Sequence, residues 1–131
     1  MTCSACGSEQ LRFAVPADLR EYLPDASERV AVCTRCLALE PTDDEAPDSP
    51  DFSAISDAFP DGDAGVAMAL AVGLLDSLAL YRSEIAALLE RVERGGADPL
   101  LVLNRLGADA RLDPHFDVAR RETQVEQLLY D

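Results

Sequence analysis

The chain has 131 residues and a formal net charge of −14, and its eleven basic residues are all arginine. That length fits one domain, or a small module beside a helical one, and the charge disfavours a phosphate backbone as the direct partner. The most apolar run, residues 65–75, is too short to span a bilayer and ends at Asp76, and no charged-then-apolar leader opens the chain; the expectation is a cytoplasmic protein with no membrane contact.

Four cysteines organise the N-terminal part. Cys3-Ser4-Ala5-Cys6-Gly7 is followed, 26 residues later, by Cys33-Thr34-Arg35-Cys36. Two residues between cysteines let the backbone curl so that both sulfurs face one ion, and two such pairs make a four-thiolate set. Gly7 suits the left-handed backbone that closes such a knuckle. Leu37 stands at the matching place in the second pair, which predicts a weaker turn there.

Between the pairs, residues 11–15 and 28–32 read as strands. The connection from Pro16 to Ser27 holds the turn signal Pro24-Asp25 and a short helical turn at residues 18–22. Pro41 follows the second pair too soon for a helix. This layout over residues 1–39 resembles zinc ribbons, in which two knuckles on β-hairpins grip one metal. Alternative uses of the thiols are two disulfides, a redox C-x-x-C, or iron in the rubredoxin manner; the spacing favours one structural Zn²⁺ held by Cys3, Cys6, Cys33 and Cys36. Thirty-nine residues bury too little to stand alone, so the metal is expected to supply the missing stability.

Residues 40–62 are rich in proline and acid and read as a linker. Phe52, Ile55 and Phe59 fall on one side of a short helical turn, capped by Ser53, that is expected to pack on its own domain. Residues 63–131 read as three helices. Asp63 caps a long one over 64–94, about 45 Å in length, with the stripe Ala67, Ala71, Leu74, Leu78, Tyr81, Ile85, Leu88, Val92. Its alternating steps of four and three offer a homodimer seam as readily as an intrachain bundle. Gly73 suggests a close contact with another helix, and Gly95-Gly96 ends the run. Asp98-Pro99 and Asp113-Pro114 each read as a capped helix start. The expected fold class is α+β: a zinc-ribbon hairpin, an acidic linker and a mainly helical bundle, with residues 60–131 able to stay helical in high salt by themselves.

Charge is uneven. Residues 1–39 hold four arginines against five acids, and the remainder seven against twenty. A lysine-free acidic surface looks like the style of haloarchaeal proteins, where hydrated carboxylates keep proteins soluble in molar salt. The whole chain resembles small haloarchaeal zinc-ribbon proteins of unknown function, which implies the metal site and carries no activity with it.

No catalytic constellation stands out. His115 is the single histidine and reads as a surface residue, and neither a nucleophile elbow nor a phosphate-binding glycine motif is present. The expected function is a non-enzymatic protein-interaction or assembly module. A nucleic-acid-associated regulator using Arg12, Arg29 and Arg35 is the alternative, and an iron electron carrier the second; direct nucleic-acid binding is not favoured.

Overall fold

A computed structural model describes residues 2–47 and 50–130. Strand β1 (Gln10–Ala14) pairs antiparallel with β2 (Arg29–Cys33), in a register that sets Leu11 opposite Val32 and Phe13 opposite Val30. Side chains alternate along strands, so these four residues share one face. Phe13, Val30 and Val32 on that face are buried. The connection includes a 3₁₀ turn at Ala17–Tyr22 whose Leu19 is fully buried.

A third strand, β3 (Leu39–Pro41), extends the sheet beside β2. The expected boundary at residue 39 therefore falls inside the sheet. Pro41 is tolerated because β3 is an edge strand, where one missing donor costs little. The expected linker of residues 40–62 is not a simple connector either; its positions 48–49 lie outside the described residues. Phe52, Ile55 and Phe59 are buried, as their spacing predicts. Phe52 meets Phe13 edge-on at 5.3 Å and stacks near Phe59 at 5.5 Å. The cap of this turn is Asp51, which accepts from the Ser53 N–H at 3.0 Å, and not Ser53.

The long helix expected over 64–94 is two helices. Helix α1 (Gly62–Leu74) passes into a 3₁₀ turn at Leu75–Ser77, and α2 (Arg82–Arg94) follows. Gly95, just past α2, comes back to the start of α1: a Cβ on it would lie 2.7 Å from the Ala64 Cβ. The pair is thus an antiparallel hairpin. The apolar stripe runs unbroken through the sequence, but one straight helix would leave the all-round apolar surface of α1 in water. Folding back covers it. Ile85, Leu88 and Val92, in the second half of the stripe, are fully buried within the chain. The start of α1 is also corrected: Asp61 holds the cap position and Asp63 lies in the first turn.

Gly73 does mark a close approach, to a strand and not a helix. A Cβ there would sit 2.5 Å from the Cβ of Leu39 in β3. Helix α3 (Pro99–Ala108) begins as expected, with the Asp98 carboxylate accepting from the Leu100 and Leu101 N–H groups at 3.0 and 3.4 Å. Helix α4 (Val118–Tyr130) starts later than the Asp113-Pro114 signal suggests; Asp117 accepts from the Arg120 N–H instead.

The fold is α+β, a three-stranded antiparallel sheet followed by helices. One continuous core joins them: Phe13, Val15, Val30, Val32 and Leu37 from the sheet region pack with residues of α1, α2 and α3 and with Val125 of α4. Sheet and helices share their burial and are not strung together as beads.

Candidate metal centre

Each C-x-x-C pair folds into the same turn. In the first, the Gly7 N–H donates to the Cys3 carbonyl at 2.9 Å and the Ala5 N–H donates to Cys3 Sγ at 3.4 Å. In the second, the Leu37 N–H donates to the Cys33 carbonyl at 3.2 Å, while the Arg35 and Cys36 N–H groups donate to Cys33 Sγ at 3.4 and 3.3 Å. These N–H groups oppose the negative charge that four thiolates gather around a divalent ion. Gly7 has φ +78° and Leu37 φ +66°. The second turn is therefore not weaker in form than the first. Leucine is disfavoured in a left-handed backbone, but Leu37 is 0% exposed, and its burial offsets that cost.

The hairpin brings the turns together. Register places Gln10 opposite Cys33, and a short bridge pairs Thr2 with Glu9. The Thr34 N–H and hydroxyl both donate to the Glu9 carbonyl, at 2.9 and 2.8 Å. Ser4 donates to the Glu40 carboxylate through its N–H and its hydroxyl, and these bonds draw the Glu40 pKa down.

The four sulfurs lie within 4.8 Å of one another, with Cys3 to Cys36 at 3.7 Å and Cys6 to Cys33 at 3.4 Å. An ion bonded to four sulfurs at about 2.3 Å spaces them about 3.8 Å apart at the edges of a tetrahedron. A disulfide would need about 2.05 Å, and all four cysteines are free thiols. The donor set therefore fits a metal ion, and it is the one such cluster of histidine, cysteine or acid side chains among the described residues. Cys3, Cys33 and Cys36 are buried and Cys6 is exposed. Burial raises the pKa of Cys33 and of Cys36, whereas hydrogen bonds from the Ser8 hydroxyl and backbone bring Cys6 down to about 6. A metal entering the site must displace the protons that burial favours.

A brace behind the second knuckle escaped the sequence reading. The Asp113 N–H donates to the Arg35 carbonyl and the His115 N–H to the Cys36 carbonyl, both at 2.8 Å. This use of residues 113–115 is why α4 starts late. His115 is not a surface residue on a helix: its side chain is 15% exposed, with Nδ1 3.7 Å from Asp76 Oδ2 and its ring edge-on to Phe116 at 5.0 Å. Burial lowers its pKa, against the pull of the Asp76 carboxylate. One signal was available, since a proline biases the residue before it toward extended backbone, and extended backbone offers its N–H groups to a neighbour.

Register pairs Arg12 with Ala31 and Ala14 with Arg29, so Arg12 and Arg29 share the outer face of the hairpin. Arg12 lies 3.6 Å from Asp44, and Arg29 is half-buried. Arg35 is exposed on the second knuckle.

Among the described residues no helix is long and apolar enough to cross a membrane. No curated protein and no solved structure matches the chain. A family model matches residues 2–129, taking in both knuckles, the sheet and nearly all of α4, and the chain belongs to that family, described as a family of unknown function (DUF6276).

Proposed function

We propose that Cys3, Cys6, Cys33 and Cys36 hold one Zn²⁺ in a zinc-ribbon-like structural site, and that the protein is a non-enzymatic interaction or assembly module of a haloarchaeal cytoplasm. The observation that carries this reading is the convergence of four sulfurs from one chain at tetrahedral spacing. Four protein thiolates close the coordination sphere and leave no position for water or substrate. The ion would act as a cross-link between the knuckles, and structural zinc contributes about 10–16 kcal/mol in small zinc domains. Iron could take the same ligands. Metal analysis of the purified chain tests the assignment: one zinc per chain in a colourless protein supports it, and a coloured iron protein overturns it.

An interaction role draws support from Arg35, exposed on the second knuckle, and from the strongly acidic remainder, which suits a protein partner better than a nucleic acid. Direct nucleic-acid binding has less behind it, because Asp44 lies beside Arg12 and Arg29 is half-buried. The test is a capture from a molar-KCl lysate with the wild type beside Cys33→Ser and a nuclease-treated control. A protein retained by the wild type alone, and insensitive to nuclease, supports the module. Nuclease-sensitive capture overturns it in favour of the regulator.

A further inference from the structure

The four sulfurs differ in access. Cys3, Cys33 and Cys36 are 3%, 0% and 6% exposed, and Cys6 alone is open to solvent. Two close sulfur pairs bridge the knuckles: Cys6 faces Cys33 at 3.4 Å and Cys3 faces Cys36 at 3.7 Å. Within the second knuckle, Cys33 Sγ accepts from the N–H groups of Arg35 and Cys36, at 3.4 and 3.3 Å, which restrict its movement. Cys6 and Cys33 need to close only about 1.4 Å to reach bonding distance.

We propose that Cys6 is the point at which peroxides and thiol-directed electrophiles attack the centre, and that peroxide oxidation joins Cys6 to Cys33 across the hairpin, expelling the metal while keeping the knuckles linked. The proposal rests on the reading of the cluster as a metal site. In the first step the Cys6 sulfur attacks one peroxide oxygen. The O–O bond breaks, the departing hydroxide leaves as water after taking up a proton, and Cys6 becomes a sulfenic acid. In the second step the Cys33 sulfur attacks Cys6, the S–O bond breaks, and a second water leaves. Two electrons pass from the sulfur pair to one peroxide. Starting from metal-bound thiolates, two protons come from solvent and one divalent ion is released. Cys33 ends β2 in register with Gln10, so this bond ties the first knuckle to a strand already paired with β1.

The experiment uses the full chain loaded with zinc in molar KCl and treated with an equivalent of hydrogen peroxide. Released zinc is read with a chromogenic chelator, and disulfides are mapped by mass spectrometry of peptides. In parallel, limiting N-ethylmaleimide is applied to loaded and chelated protein. The expected result is zinc release in step with a Cys6–Cys33 disulfide, and alkylation of Cys6 at least about tenfold ahead of the three buried cysteines. Disulfides within a knuckle, Cys3 to Cys6 or Cys33 to Cys36, overturn the proposal, as does even labelling. Metal analysis before treatment separates the two readings. A chain that binds no metal refutes the zinc assignment and overturns the expulsion of an ion with it. A loaded chain that oxidises within its knuckles refutes the proposal and leaves the metal site standing.

Discussion

Replacing Leu37 by alanine and by glycine should reverse the usual order of those two substitutions. At an ordinary buried position glycine is the worse choice, by about 0.5–1 kcal/mol relative to alanine in a helix or strand. Leu37 is fully buried in the main core but has φ +66°. Removing its side chain costs about 2–5 kcal/mol through lost burial and the cavity left behind. Alanine retains the left-handed penalty of about 1–2 kcal/mol, and glycine is free of it. Both variants should therefore be less stable than the wild type, with Leu37→Gly about 1 kcal/mol less damaged than Leu37→Ala. Urea unfolding of the three proteins, at fixed salt and fixed free zinc, reads the difference directly. Gly7→Ala supplies the control: its φ is +78° and a Cβ there would meet nothing within 4 Å, so it should lose about 1 kcal/mol and gain nothing. An alanine variant more stable than the glycine variant would refute the equivalence of the two knuckles.

Gly65→Ala should lower Tm by roughly 5 °C or more. The new Cβ would sit 2.2 Å from the Pro60 carbonyl oxygen and 2.8 Å from the Phe52 ring, an overpacking whose cost exceeds the gain in helix propensity of about 1 kcal/mol; thermal melts followed by circular dichroism decide it. Residues 60–131 expressed alone should lose the sharp melt of the full chain, because the cut removes Phe13, Val30, Val32, Leu37, Phe52, Ile55 and Phe59 from the shared core. A cooperative helical fragment would show instead that the helices hold a core of their own. Zinc affinity should rise by at least about hundredfold per pH unit between pH 6 and 8. Cys33 and Cys36 have pKa values raised by burial, so at least two protons must leave as the ion binds; competition with a chromophoric chelator measures the slope.

The cysteine cluster was legible because its chemistry is local: sulfur spacing within a knuckle decides which sulfurs can meet. The hairpin was legible for a similar reason, since alternation fixes which face of each strand is apolar, and burial then fixes register. The break between α1 and α2 was not. No proline or glycine pair stands at residues 75–81, and a heptad-like stripe has the same pattern whether its two halves face a second chain or each other. Strand β3 was hidden by Pro41, a residue that argues against a central strand but not against an edge. The brace of Asp113 and His115 was hidden because it works through main-chain groups, which carry no mark of residue type. Asp-Pro describes a helix cap and an extended tether equally well, and only the presence of the Arg35 and Cys36 carbonyls separates the two.

This arrangement changes what the proposed ion would be for. A ribbon of 39 residues on its own would need the ion in order to fold, yet here Phe13, Val30, Val32 and Leu37 already belong to the core of the whole chain. The part without such support is the first knuckle. Its Cys3 joins the small cluster around Cys33, Cys36 and Ala38, and among the described residues the main core draws on none before Leu11. Ordering the roughly seven residues from Thr2 to Ser8 costs about 7–14 kcal/mol of backbone entropy. The exposed bonds of Ser4 to Glu40 return about 0.5–1.5 kcal/mol each, which does not close the gap; a structural ion does. Chelation should therefore release the first knuckle and spare the rest. In amide exchange, protection at Ala5 and Gly7 should vanish, while Leu37, Asp113 and His115 keep theirs, because those three N–H groups are held where Leu37 is buried and residues 113–115 are docked. The helical signal should be nearly unchanged. If the helices melt with the metal, the shared core is too small to stand without it, and the ion is a folding nucleus for the entire chain and not a clasp on its N-terminus.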